Sequence, residues 1–452
     1  MKLTHALLLA VPVAALALTD ARDAAACGGC FVPPEESTQV TGHRMLLSVS
    51  KTETTLWDQI TYTGNPSSFA WILPTKGIVE VGLSSDALFA FVGQATTVYV
   101  SPPPLNCPGP PDGCYYGGAE DGFGAGTGSG SGGGSAGGGV IVTAQATVGP
   151  YETVQLKSDD PAALKAWLAS HNFSVPADVQ PIIDAYVADH FDFLALKLVP
   201  GQGLDAMRPV RVTTPGASPV LPLRMVAAGT GALTPITLWV LGEGRYETAN
   251  FDNFTIEPSA VLWNWDTQES TYKPLKDAAF AKNGGLGWLT EATRPTSSFE
   301  LTDNLIQVAQ NNALQSGYGD AMGAGAVEEA TADADKLLGN INPAALWITR
   351  LRGELPRAAL GKDLEVGASV KQTEVSNLIQ TTVGIGTPPP CPVYNCGGGI
   401  DSSSGFFGNG VGTGSSSKCG VSLGGGNDSG TAMLGGLGAL VALAMVRRRK
   451  SR

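Results

Sequence analysis

Val140-Ile141-Val142-Thr143-Ala144-Gln145-Ala146-Thr147-Val148-Gly149-Pro150 leads into Tyr151-Glu152-Thr153-Val154-Gln155-Leu156, then Ser158-Asp159-Asp160-Pro161. In the first run Val142, Ala144, Ala146 and Val148 alternate with Thr143, Gln145 and Thr147. That is the period of a half-buried strand. Gly149-Pro150 punctuates a hairpin, so Tyr151 to Leu156 is expected to return antiparallel. Asp160 then stands where an N-cap belongs, with Pro161 at the first helical position. Leu164, Trp167 and Leu168 supply the buried stripe of that helix. A hairpin followed directly by an amphipathic helix is the signature of segregated strands and helices.

Working outward, a second helix is expected after Pro176, with Ile182/Tyr186 and Ile183/Val187 at helical spacing. Strands are expected at Phe193 to Val199, Arg208 to Thr213, Leu221 to Ala227 and Ile236 to Leu241. Residues 267–338 read as helix-rich, broken at Gly284-Gly285 and by a Gly-rich stretch near 317–325. Leu346 to Leu351 reads as a strand and Pro356 to Leu360 as a helical turn. On the N-terminal side, Ser48 to Ser50 and Gln59 to Tyr62 alternate as strands do, and a helix is expected from Ser85 to about Gln94. The fold class expected is α+β, with mixed or mainly antiparallel sheets, packed helices and disordered Gly/Ser/Pro-rich segments.

The two ends read as export signals. Lys2 precedes an apolar stretch from Ala6 to Leu18, then a polar break and Ala24-Ala25-Ala26. Those are the parts of a signal peptide cleaved before Cys27. A lipoprotein signal with Cys27 acylated is the rival; Asp23, so close to the cysteine, speaks against it. At the other end Thr431 to Val446 is apolar and is followed at once by Arg447-Arg448-Arg449-Lys450. At 16 residues this is short for a spanning helix, and its flanking cations mark the cytoplasmic side. Lys418-Cys419-Gly420, the Gly/Ser spacer, the short apolar segment and the terminal Arg cluster together resemble the MYXO-CTERM sorting signal. The resemblance implies processing near Cys419 by a sorting protease, lipid attachment at that cysteine, and display at the cell surface or outer membrane after an inner-membrane precursor.

The expected divisions are a signal peptide at 1–26, a β-rich part at 27–101, a Pro/Gly-rich linker or loop at 102–139, an α+β remainder at 140–370, a spacer at 371–430 and an anchor with basic tail at 431–452. The chain carries a formal net charge of −12 over 452 residues. The acid excess grows once the signal and the basic tail are set aside. Such a body repels phosphate backbones, so no nucleic-acid partner is expected.

Cysteines stand at 27, 30, 107, 114, 391, 396 and 419. In an exported protein the first six are disulfide candidates. Pairing neighbours (Cys27/Cys30, Cys107/Cys114, Cys391/Cys396) is the simplest of many connectivities. Cys27-Gly28-Gly29-Cys30 lies before Phe31-Val32-Pro33-Pro34, where no helix starts promptly, so a structural bridge is read over a redox centre.

The chemistry-bearing residues are sparse. His43, His171 and His190 are far apart, His43 is the one histidine near the CxxC, and no HExxH exists; no metal and no cofactor are expected. His171 and His190 are placed at helix ends. Gly133-Gly134-Ser135-Ala136-Gly137 matches a nucleophile elbow in letters alone, inside a glycine tract without the strand and helix that the elbow needs. Asp333 and Asp335 are read as a solvated helix face. Trp263-Asn264-Trp265 would put two indoles on one strand face and is the candidate ligand contact, for an envelope glycan.

The body from Cys27 onward resembles the family catalogued as domain of unknown function 2330. The likeness rests on Cys27 to Phe31, Phe69-Ala70-Trp71-Ile72-Leu73-Pro74-Thr75, Ala185-Tyr186-Val187, Phe193 to Lys197, Ile348 to Arg352 and Asp363-Leu364-Glu365. It covers most of 27–370 and departs from the pattern in the glycine insertion at 117–139. It implies neither activity nor functional residues. With no catalytic constellation in the sequence, the body is read as a non-enzymatic binding, adhesion or structural module of the cell envelope. Its expected contacts are the membrane, a signal peptidase, a sorting protease, and a glycan or protein of the envelope. The alternative is a surface hydrolase working through carboxylates.

Overall fold

A computed structural model describes residues 30–31, 39–63, 70–108, 140–171, 179–201, 207–227, 233–315, 324–391, 393–394 and 421–422. The expected signal peptide (1–26), the glycine tract, Cys27, Cys114, Cys396, Cys419 and the expected anchor (431–452) lie outside the described residues.

In chain order the first half holds β1 (Cys30–Phe31), β2 (Gln39–Val49), β3 (Glu53–Thr63), β4 (Ala70–Thr75), β5 (Glu80–Leu83), α1 (Asp86–Thr96), β6 (Tyr99–Ser101), β7 (Ile141–Val148), β8 (Tyr151–Lys157), α2 (Pro161–Ser170), α3 (Gln180–Ala188) and β9 (Asp192–Leu198). Next come β10 (Val210–Pro215), β11 (Val220–Leu221), α4 (Leu223–Val226), β12 (Leu233–Glu243), β13 (Tyr246–Thr248), β14 (Asp252–Phe254), β15 (Trp263–Asn264) and β16 (Glu269–Ser270). The remaining helices and strands are α5 (Tyr272–Lys282), β17 (Gly287–Pro295), α6 (Ser298–Gln315), α7 (Ala324–Leu338), β18 (Leu346–Pro356), β19 (Leu364–Ala368), β20 (Leu378–Gln380), β21 (Gly384–Ile385), β22 (Val393–Tyr394) and β23 (Val421–Ser422). The class is α+β.

Two sheets organise these elements. One has eight strands in the order β14-β17-β18-β12-β2-β3-β10-β5, the other five in the order β1-β4-β9-β8-β7. Pairing is antiparallel except for β2 with β12 and β14 with β17. The middle strand β12 reads Ile236-Thr237-Leu238-Trp239-Val240-Leu241, apolar on both faces, because both faces are covered. On one face α1, α6 and α7 bury Leu46, Trp57, Trp239 and Ile348 against Leu88, Phe89, Leu305, Ala330 and Leu337. On the other, Met45, Leu238, Val240, Trp288 and Leu351 meet Leu360 and Leu364. The five-stranded sheet packs one face on α2 and α3 through Leu156, Phe193, Leu164, Leu168, Ile183 and Tyr186. Its other face meets β10 through Trp71, Tyr151, Leu194, Leu196, Val210 and Val212, which joins the two sheets.

The hairpin expected at 140–156 is β7–β8, paired Val148 with Tyr151. Asp160 caps α2 through its side chain, accepting from Ala162 N at 2.8 Å. Elsewhere the structure differs from expectation. The strand expected over Leu221 to Ala227 stops at Leu221, since Pro222 has no N–H to continue a ladder, and α4 follows. The helix-rich stretch 267–338 is interrupted by β17, buried from Gly287 to Thr293. A strand covered on both faces shows no alternation to announce it.

The disulfide pattern also differs. Cys107 pairs with Cys391, not with Cys114 as proximity suggested, and Cys391 correspondingly does not pair with Cys396. Their Cα atoms lie 5.4 Å apart although 284 residues separate them in sequence. They meet because the chain after 371 folds back. Strand β20 pairs with β6 just before Cys107, and β21 pairs with β15 just before Cys391.

Candidate functional site

Strand β3 runs beyond the point where β10 begins. Val210 pairs with Asp58, and Gln59 and Ile60 have no β10 residue beside them. The gap between the two sheets there is a cleft of about 250 Å³. Arg44, Asp58 and Asp86 enter it from the eight-stranded side, Trp71 and Tyr151 from the five-stranded side, and Arg208 from the segment leading into β10. Arg44 sits opposite Gln59 in the β2–β3 register, and its Nη1 donates to Gln59 Oε1 at 2.9 Å. Gln59 Nε2 donates in turn to Asp86 Oδ1 at 2.5 Å. Asp58 is buried and lies 3.4 Å from His43 Nδ1.

Next to the cleft is a buried ionic network centred on Asp333, whose side chain has no solvent exposure. Its Oδ1 accepts from Trp57 Nε1 at 2.7 Å and from Arg211 Nη1 at 2.8 Å. Its Oδ2 accepts from Ser84 Oγ at 2.7 Å and from Ser85 N at 3.2 Å. Register explains the convergence. Arg211 pairs across β10–β3 with Trp57 and across β10–β5 with Gly82. The guanidinium lies over Gly82, where a Cβ would meet Arg211 Nη2 at 2.6 Å and Cζ at 3.2 Å. Burial pushes the Asp333 pKa up, while Arg211, Ser84, Trp57 and Ser85 all favour its ionised form.

The expectation that Asp333 lies on a solvated face is therefore overturned. Ala330, Asp333, Ala334 and Leu337 form the inward stripe of α7. One turn earlier, Glu329 Oε2 is buried without a hydrogen-bond partner among the described residues. Burial raises the Glu329 pKa to about 7, against the opposing pull of Arg208, with Asp333 and Asp86 adding to the rise. A carboxyl raised in the fold holds its proton where the unfolded chain has lost it. The stability it contributes is present below about 4.5 and is lost as pH rises toward about 7. Glu329→Gln is expected to match the native protein at acid pH and to become progressively the more stable of the two up to neutrality, measured by urea denaturation at a series of pH values. A constant difference across that range would contradict this.

These groups have limited chemical freedom. Asp333 accepts four donors and has no lone pair left to act as base. Asp58 is tied to His43 and Asp86 to Gln59. Among the described residues no three His, Cys, Asp or Glu side chains come together as metal ligands. His171 caps α2, Nδ1 lying 2.8 Å from Trp167 O with its ring stacked on that indole at 3.8 Å. His190 ends α3 at a φ of 59°. Trp263 and Trp265 are half-buried and meet edge to face at 6.3 Å and 72°, beside β21. None of Arg44, Arg208, Arg211, Glu329 or Asp333 was singled out as a site residue from sequence, although the inward position of Asp333 within the Ala330–Leu337 stripe was there to be read. Among the described residues no helix is long and apolar enough to cross a membrane.

The family described as an uncharacterized protein conserved in bacteria (DUF2330) matches residues 21–358. Among solved structures, baculovirus P35 aligns over 48% of this chain and 68% of that chain, at 12% identity and a TM-score of 0.25. A mutated baculovirus P35 after caspase cleavage aligns over 46% and 69%, at 11% identity and the same TM-score. A superposition that loose carries no argument about fold or function. Among curated proteins none matches.

Proposed function

The chain belongs to the DUF2330 family of bacterial proteins, and from that premise we propose that it is an exported, surface-anchored module that binds or scaffolds in the cell envelope without catalysing a reaction. The observation that carries this is the Cys107–Cys391 disulfide. Such bonds persist in oxidising compartments and are rare in the cytosol. This one lies where the described body gives way to the Gly/Ser-rich spacer. A pull transmitted through the tether would reach the disulfide before the short strands β20 and β21. The absence of catalysis is supported by the engagement of Asp58, Asp86 and Asp333 with partners of their own. A glycan or protein of the envelope is the proposed partner, with Trp263 and Trp265 as the side chains to test against glycans.

One observation favours a second reading, a hydrolase using carboxylates. Glu329 is raised to about 7 by burial, with Asp333 and Asp86 adding to the rise, and a carboxyl that keeps its proton near neutrality is what a general acid needs. Glycan hydrolysis by the purified protein that Glu329→Gln abolishes would select it.

The test of the first reading is the intact mass of the mature protein from washed cells, with and without protease shaving and with Cys419→Ala. The expected chain starts at Cys27, ends near Cys419 with a lipid-sized increment, and is removed by shaving. A chain intact through Arg452, protected from protease and indifferent to Cys419→Ala, would overturn it.

A further inference from the structure

A second cleft, of about 310 Å³, opens on the helix-covered face of the eight-stranded sheet, beyond the C-terminal end of α1. Its floor is a row across three strands, since Arg44 on β2 pairs with Thr237 on β12, and Thr237 pairs with Arg352 on β18. The next row adds Trp239 opposite Arg350. Strand spacing puts the Cα atoms of Arg44 and Arg352 about 10 Å apart, so two arginines stand on either side of Thr237 in one row.

In so acidic a chain, three arginines converging on one cleft require an explanation. Packing accounts for part of each. Arg44 and Arg350 both lie over the Trp239 ring, at 5.6 and 5.4 Å. Arg44 Nη2 donates to Phe89 O, and Arg350 Nη1 donates to Thr97 Oγ1 at 3.0 Å. Compensation by carboxylates is partial, with Asp86 acting on Arg44 and Asp277 on Arg352 by charge without a direct hydrogen bond. Glu291 serves Arg350 at 2.7 Å, while Glu354 is shared between Arg352 Nε at 3.2 Å and Lys276 Nζ at 3.0 Å. Direct acceptors of Arg44 are the neutral Gln59 and Phe89 carbonyl oxygens; Asp86 is one residue removed, held by Gln59. Arg352 lines the cleft, and among the described residues its terminal nitrogens make no hydrogen bond. Arg44 is held below its usual pKa by burial first and by the charge of Arg350 second, with Asp86 pulling the other way.

We propose that this cleft is an oxyanion-binding site, in which the Arg352 fork, Arg44 and the Thr237 hydroxyl hold a phosphate or carboxylate group of a small molecule. Guanidinium forks match both groups in geometry. The site is independent of the anchoring proposed above and stands whether or not the chain is displayed at the surface.

The experiment is calorimetric titration of the full mature protein at low salt with inorganic phosphate and, separately, with glucuronate. Binding of either supports the site, and the stronger of the two identifies the group. Arg352→Gln is expected to weaken that binding about tenfold or more, and Arg352→Lys to weaken it less, since the charge stays and the fork is lost. Thr237→Val, which keeps volume and branching, is expected to weaken it severalfold. Lys51→Gln, at an exposed position in the β2–β3 turn, should change nothing. Binding of neither anion by the native protein, or undiminished binding by a folded Arg352→Gln or Thr237→Val variant, would overturn the proposal.

Discussion

Replacing Asp333 with alanine is expected to cost about 3–5 kcal/mol of stability, because it strands a buried guanidinium. The Arg211 side chain is only 9% exposed and has Asp333 as its ion-pair partner. The same change leaves Trp57 Nε1, Ser84 Oγ and Ser85 N without their acceptor. Removing one partner of a buried pair is far more damaging than removing both, since the remaining charge keeps its full desolvation penalty. The double variant Asp333→Leu/Arg211→Met should therefore lose less than Asp333→Ala alone. Urea denaturation of the three proteins checks this. A loss below about 1 kcal/mol for Asp333→Ala would mean that α7 is not anchored through this carboxylate.

Replacing Cys107 and Cys391 with serine is expected to remove as much as about 5 kcal/mol, since the loop closed in the unfolded chain is very long. The separation of 284 residues puts this bond near the top of the chain-entropy scale. The loss should be felt locally as well as globally. Strands β20 and β21 pair through three and two residues respectively, too few to hold by themselves. Amide exchange at Leu378–Gln380 and proteolytic nicking between 371 and 391 should both rise in the serine variant. If neither changes, the folded-back segment is held by packing and the disulfide adds little.

Legibility in the sequence followed the range of the interactions. The β7–β8 hairpin, the Asp160 cap and α3 rest on neighbours within a few residues, and periodicity and capping chemistry announce them. The network at Asp333 does not, because Trp57, Ser84 and Arg211 lie 276, 249 and 122 residues away. The pattern Ala330, Asp333, Ala334 and Leu337 did mark an inward position, but an aspartate there reads as solvated until a buried donor is known. Strand β17 was hidden for a different reason, being covered on both faces and so lacking alternation. The Cys107–Cys391 bridge depends on β6 meeting β20, a pairing of two three-residue strands that no local signal predicts. The arginine cleft is a product of register. Arg44, Arg350 and Arg352 become neighbours only once β2, β12 and β18 are aligned.

The Cys107–Cys391 disulfide closes the described body and carries the proposal of export. Its most direct test is peptide mapping, under non-reducing conditions, of protein recovered from washed cells and alkylated before digestion. The expected result is a linked peptide joining Cys107 to Cys391 that disappears on reduction. Alkylated, free Cys107 and Cys391, or bridges from Cys107 to Cys114 and Cys391 to Cys396, would contradict it.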